Sequence, residues 1–175
     1  FMMEGPIIKD KASYMGSYKK SFLKYVIKSA GLQAVPEYWN GQTKIVYYFN
    51  PREKLTFNLL LGDDEIQIDD ENRPDLRGAD HVDAKINQIT YGLTYKSLFS
   101  SKGYYQFTLA RNNSEWNNKV YNLIDGVKNI YFDRNNMEQD TYLKGQIVYK
   151  LNDAFTLNTG FNIKEGRYSL NEQFD

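Results

Sequence analysis

Apolar and polar residues alternate one for one over long stretches of this chain. Leu55, Phe57, Leu59 and Leu61 share one parity; Lys54, Thr56, Asn58 and Gly62 share the other, with Leu60 as the apolar exception. Successive strand side chains point to opposite faces, so the pattern predicts a strand with one greasy and one wet side. Upstream, Ile45, Tyr47 and Phe49 alternate with Gln42, Lys44 and Tyr48. Ile89, Tyr91, Leu93 and Tyr95 alternate with Thr90, Gly92, Thr94 and Lys96, and Tyr105, Phe107 and Leu109 with Gln106, Thr108 and Ala110. Leu143, Ile147 and Tyr149, then Leu157, Phe161 and Ile163, continue the series. The reading is all-β, with eight strands near 1–7, 11–21, 38–50, 54–67, 86–98, 104–116, 140–150 and 154–166.

The punctuation between strands is uneven. Tight-turn signals fall at Ile8-Lys9-Asp10-Lys11, Asn50-Pro51-Arg52-Glu53, Ser100-Ser101-Lys102-Gly103 and Leu151-Asn152-Asp153-Ala154. Between them lie longer polar stretches, read as loops at 22–37, 68–85 and 117–139, with Leu170 to Phe174 entering a fourth. Short turns at one end and long loops at the other predict an antiparallel up-and-down sheet of the transmembrane β-barrel kind. The wet face, rich in Thr, Asn, Gln and Gly with Lys44, Lys96 and Lys144 among them, suits a lumen. Tyr47, Phe49, Phe57, Tyr95, Phe99, Tyr105, Phe107, Tyr149 and Phe155 crowd beside the turns, as in an interfacial girdle. Trp39 and Trp116, at the far ends of their strands, are expected to anchor the opposite interface.

The expected lipid-facing wall is therefore Ile45, Tyr47, Leu55, Phe57, Leu59, Leu61, Leu93, Tyr95, Phe107, Leu109, Ile147, Tyr149, Leu157 and Phe161. A soluble antiparallel sheet also alternates, and the core of a sandwich would hold the same aromatics. The two differ in one respect: a soluble fold would enclose Leu55, Phe57 and Leu59 in a core sheathed by Thr and Lys.

Composition changes the picture in three ways. Mean hydropathy is −0.65, which a barrel wall tolerates because half of it is polar. No run approaches the roughly 18 apolar residues of a spanning helix. A formal net charge of zero argues against nucleic acid as a partner. With no Cys and one His, thiolate sites, disulfides and histidine triads lack their residues, so no enzyme or cofactor is expected. His81, beside Asp80 and Asp83, reads as a solvated loop residue. Asp63, Asp64, Glu65, Asp69, Asp70 and Glu71 form an acidic run. Its spacing fits no EF-hand-type calcium loop, so Asp63, Asp64, Asp69 and Asp70 are at most loop contacts to a ligand. Phe22, Leu23, Val26, Ile27 and Ala30 recur at helical spacing before Gly31, which predicts a two-turn helix in the first loop.

Two stretches carry a family resemblance. Met3-Glu4-Gly5-Pro6-Ile7, with Lys11-Ala12-Ser13-Tyr14 and Ser17-Tyr18-Lys19-Lys20-Ser21-Phe22-Leu23, resembles the early barrel strands of TonB-dependent outer-membrane receptors. Pro36-Glu37-Tyr38-Trp39-Asn40-Gly41-Gln42-Thr43-Lys44-Ile45, with Asn50-Pro51, Lys54-Leu55-Thr56-Phe57 and Gly62-Asp63-Asp64, is similar to the next hairpin of the same receptors. Lys19-Lys20 stands where arginines are commoner there, and Asn40 where Asp is usual. The likeness covers roughly residues 3–64. It implies that 1–175 is part of a roughly 22-stranded barrel, without the family's plug domain or TonB-contacting segment. The implied setting is a Gram-negative outer membrane, and the implied partners are its lipid, the protein's own plug and remaining strands, and TonB through the plug. The implied activity is energy-dependent import of a ferric chelate, cobalamin or glycan. Without the resemblance, two alternatives stay open: a complete eight-stranded outer-membrane barrel with a structural or adhesive role, and a soluble lipocalin-like binding barrel.

Overall fold

A computed structural model describes residues 1–23, 34–68, 81–124 and 127–174. They form one antiparallel sheet: β1 (Met2–Ile8), β2 (Ala12–Lys20), β3 (Ala34–Asn50), β4 (Glu53–Ile68), β5 (His81–Ser100), β6 (Gly103–Ile124), β7 (Val127–Lys150) and β8 (Thr156–Phe174). Spatial order follows chain order, each strand pairing with the next. No ladder joins β1 to β8, so this barrel-like, up-and-down sheet is open. An eight-stranded barrel would need that ladder to close.

The turn sequences account for the turns. The Lys11 N–H donates to the Ile8 carbonyl (3.1 Å), and Asp10 takes the left-handed φ of 59° that short polar residues tolerate. Asn50 Oδ1 accepts the Arg52 N–H (2.9 Å), with Pro51 presetting the bend. Ser100 Oγ accepts the Lys102 N–H (3.1 Å), and Asn152 Oδ1 accepts both the Ala154 and Phe155 N–H groups (2.9 Å each).

At the other end the strands run further than the sequence pattern implies. β6 and β7 stay paired up to the Ile124–Val127 pair, with one shift of register between Val120 and Tyr121, so the loop expected at 117–139 is a long hairpin. Leu170 to Phe174, expected in a fourth loop, pair with β7 as the end of β8. Lys119–Asp133 (3.3 Å) and Arg134–Glu172 link neighbouring strands there, so residues that read as loop polarity are cross-strand partners. The helical patch through Val26, Ile27, Ala30 and Gly31 lies outside the described residues, as do Asp69, Asp70, Glu71 and Asp80.

The sheet is one layer with almost no core. Among the described residues, the buried apolar side chains are Ala12 and Tyr121. Accessible surface is 12448 Å², about 1.4 times the roughly 8,900 Å² expected of a compact monomer of this mass. Leu55, Phe57 and Leu59 are half-buried by their neighbours in the sheet, with no second layer over them. Among the described residues no helix is long and apolar enough to cross a membrane, which leaves strands untouched by that test.

Candidate functional site

The register gathers the predicted wall. Ile45 pairs with Phe57, Phe57 with Leu93, Leu93 with Leu109, Leu109 with Leu143, and Leu143 with Ile163. Two residues nearer the turns, Tyr47, Leu55, Tyr95, Phe107, Gly145 and Phe161 form the next row. Leu59 and Leu61 extend the same face toward the loops, and Ile147, Tyr149 and Leu157 extend it toward the turns. All fourteen wall residues thus share one face. Leu93, Phe107 and Leu109 are among its exposed apolar side chains.

The apolar band runs obliquely across the strands. On β4 it spans Leu55 to Leu61 and is bounded by Glu53 and Asp63. Leu61 is in register, strand by strand, with Ile89, Asn113, Gln139 and Arg167, yet on β8 the band stops at Ile163. That is four residues nearer the turns. At the other border Leu55 is in register with Phe161, while the band on β8 reaches Leu157, again four residues further. Both borders therefore move four residues from β4 to β8, an average of one per strand, with the loop-side step falling between Ile89 on β5 and Leu109 on β6.

The turn-side border is aromatic. Ring contacts run from Tyr47 to Phe49 (5.1 Å), Phe49 to Tyr95 (6.4 Å) and Tyr95 to Tyr105 (6.1 Å). Tyr105 continues to Phe107 (5.8 Å) and Phe99 (6.3 Å), and Phe99 to Tyr149 (5.9 Å). Seven of the nine aromatics predicted for the girdle, all but Phe57 and Phe155, form a connected belt from β3 to β7. Gly103 makes room for it: a Cβ there would meet Phe99 at 2.5 Å and Tyr149 at 2.6 Å.

The opposite face is a polar ladder. Thr94 and Thr108 hydroxyls bond across strands (3.0 Å), Asn112 Oδ1 accepts from Thr90 (2.6 Å) and Gln88 (3.1 Å), and Gln146 donates to Asn158 (2.9 Å). Lys44, Lys96 and Lys144 share this face with them, and Lys96 Nζ lies 3.6 Å from the Tyr104 ring centroid. Asp140, nearly buried, binds Lys164 (2.8 Å) and accepts the Tyr142 hydroxyl (3.0 Å).

Beyond the band, toward the loops, the polarity of the two faces exchanges. Ile68, Val82, Val120, Phe132 and Phe174 form one row on the face that is polar below. Ile66 and Ala84 belong to the next row, and Ile86, Trp116 and Leu170 to the one below it. The other face there carries Glu65, Lys85, Asp83, Lys119 and Asp133. Sequence reasoning missed this inversion. Its signal is a change of phase in the period-two pattern, hidden because charged residues interleave the apolar ones.

Three expectations are corrected. Trp39 and Trp116 do not share a face: Trp39 lies on the apolar side against Tyr18 (5.7 Å), and Trp116 on the other beside Ile86. His81 is not a solvated loop residue. It opens β5, is 6% exposed, and stacks on Tyr121 at 5.1 Å and 10°, since an imidazole gains by covering an aromatic plane. Among the described residues the acidic run does not form one cluster. Asp63 sits in β4 and pairs with Lys85 (3.3 Å), while Asp64 alternates to the opposite face. Among the described residues no group of acidic or His side chains is arranged to hold a metal.

Near the strand tips, Lys128 Nζ lies 4.1 Å from the Tyr121 ring centroid and 3.5 Å from Asp83. The Tyr121 hydroxyl and the Asp83 carboxylate together raise its pKa above the ordinary lysine value. Comparison with protein-family models finds no match to this chain, and no curated protein matches it.

Proposed function

We propose that this chain is part of the wall of an outer-membrane TonB-dependent transporter, its apolar face against lipid and its polar face toward a lumen. The slant of the apolar band carries the reading. At about 3.3 Å per residue and 4.8 Å between strands, one residue per strand is a tilt of about 35°, within the range of transmembrane barrels. Ten residues separate Glu53 from Asp63. Projected at that tilt they are about 27 Å apart, close to the height of an outer-membrane hydrocarbon band.

The open edges of β1 and β8 fit the same reading, since unpaired backbone groups in hydrocarbon cost several kcal/mol each. The remaining strands of the barrel would pair with them, and a plug would meet the polar face that carries Lys44, Lys96 and Lys144. Transport itself, of a ferric chelate, cobalamin or a glycan, follows from the family resemblance near residues 3–64, and its energy would arrive through TonB and the plug.

Lipid contact is tested in the full-length protein reconstituted in bilayers. Fluorophores on Leu93→Cys and Thr94→Cys are exposed to lipids brominated along the acyl chain. Strong quenching at 93 and weak quenching at 94 is expected; equal quenching at both would end the wall assignment. Uptake into cells that continues undiminished after the inner membrane is de-energised would refute the transporter assignment.

A further inference from the structure

The apolar face carries a groove of about 420 Å³ lined by Phe57, Tyr91, Leu93 and Leu109, with Arg111 and Thr141 at its loop-side end. Arg111 replaces an apolar residue at the band's border on β6, one step beyond Leu109 and in register with Tyr91 and Thr141. Its guanidinium is held in place: Nε donates to Asn113 Oδ1 (3.1 Å) and Nη2 to Gln139 Oε1 (2.9 Å). Those bonds use two of five N–H donors. Among the described residues no carboxylate pairs with it, and Glu165, on the same row of β8, is engaged by Arg167 (2.9 Å).

A guanidinium pinned by two neutral amides, at the rim of an apolar groove, offers its remaining donors to an anion. Phosphate is the anion whose geometry suits that fork. The backbone of Arg111 lies inside the band, but its guanidinium reaches up to the Asn113–Gln139 row, about 13 Å from the midplane at that tilt and so near the lipid headgroups, and the groove below it is apolar. We infer that Arg111 and this groove bind one anionic lipid of the loop-side leaflet, phosphate on the guanidinium and an acyl chain along Leu93 and Leu109. The inference rests on the membrane reading above.

The test uses the full-length protein in mixed nanodiscs, counting co-retained phosphatidylglycerol against phosphatidylcholine by native mass spectrometry. A preference of about tenfold for the anionic lipid is expected, the scale of one charge-assisted contact. Arg111→Gln should bring it near parity, Arg111→Lys should keep part of it, and Leu109→Trp, which fills the groove, should also abolish it. Preference unchanged in Arg111→Gln overturns the proposal. So does displacement by millimolar inorganic phosphate, which would make the site a free-anion site, or preference surviving Leu109→Trp. Quenching at Leu93→Cys, run in parallel, separates the outcomes. If it persists without lipid preference, this site alone fails; if it is absent, the wall reading fails first.

Discussion

A single arginine moved along one strand gives the sharpest test of the wall. On β4 the midpoint between Glu53 and Asp63 is Asn58, whose β5 partner is Gly92. Allowing one residue for the slant puts the centre of the band at Leu93. Each residue rises about 2.7 Å along the membrane normal at a tilt near 35°. Ile89, four residues away, then lies about 11 Å higher, at the interface. Arginine on the lipid face of a barrel costs about 2–4 kcal/mol at the midplane and about 0–1 kcal/mol near the interface. Leu93→Arg should therefore destabilise the protein by about 2 kcal/mol more than Ile89→Arg. Thr94→Arg, one residue along but on the polar face, should stay below about 1 kcal/mol. The assay is equilibrium folding of the full-length protein into bilayers against guanidinium. Equal costs at 93 and 89 would falsify the depth argument. A larger cost at 94 than at 93 would mean that the faces are reversed.

Three further outcomes follow from local geometry. A Cβ on Gly160 would collide with the Gly145 carbonyl oxygen and come 3.1 Å from Gln146 Cα. Gly160→Ala should thus part β7 from β8 and cost about 1–3 kcal/mol, read as a lower guanidinium midpoint; a neutral result would refute the close approach. Asn152→Ala removes the acceptor for two turn N–H groups and should cost about 1–2 kcal/mol, while Asn152→Asp, which keeps the acceptor, should not. The raised pKa of Lys128 has a definite sign: its contribution is complete below the ordinary lysine value and is lost as pH rises through the higher folded one. Subtilisin cleavage of the β6–β7 tip should accelerate in that alkaline window, and Lys128→Gln should abolish the acceleration; an unchanged profile in the variant would remove Lys128 as its cause.

Strand number, antiparallel order and the two faces were legible in the sequence wherever one side of the sheet is uniformly apolar. Leu55, Phe57, Leu59 and Leu61 leave no other phase, and slipping a strand by one residue would exchange its faces. The turns were legible because Asn50, Ser100 and Asn152 each carry the oxygen that closes their own bend. The four-residue displacement of the band was invisible, since it is a relation between strands: Leu61 and Arg167 share a row only once the register of the four ladders between them is known. Arg111 escaped notice for the same reason. In sequence it follows Ala110 as an ordinary strand polar residue; in the sheet it stands among Tyr91, Leu109 and Thr141.

Under the proposed membrane reading, the exchange of polarity beyond the band has a physical reason that also explains why residues 117–139 read as loop. A wall crossing lipid must be apolar outside, but once it leaves the bilayer the same outer face meets water. Lys119, Asp133, Asp83 and Lys85 there, against Val120, Phe132, Val82 and Ile86 behind them, are the pattern the proposed wall would show where its exterior solvent changes. From Arg111 to Ile124 is thirteen residues, about 35 Å of height at the same tilt. A pattern search that assumes one phase per strand scores such a segment as random polarity. Two solvents along one strand produce two phases, and the step between them marks the boundary. On β4 that step falls at Gly62, where the apolar parity passes from Leu61 to Ile66 and Ile68. A soluble sandwich, with one core along its whole length, has no reason to change phase there.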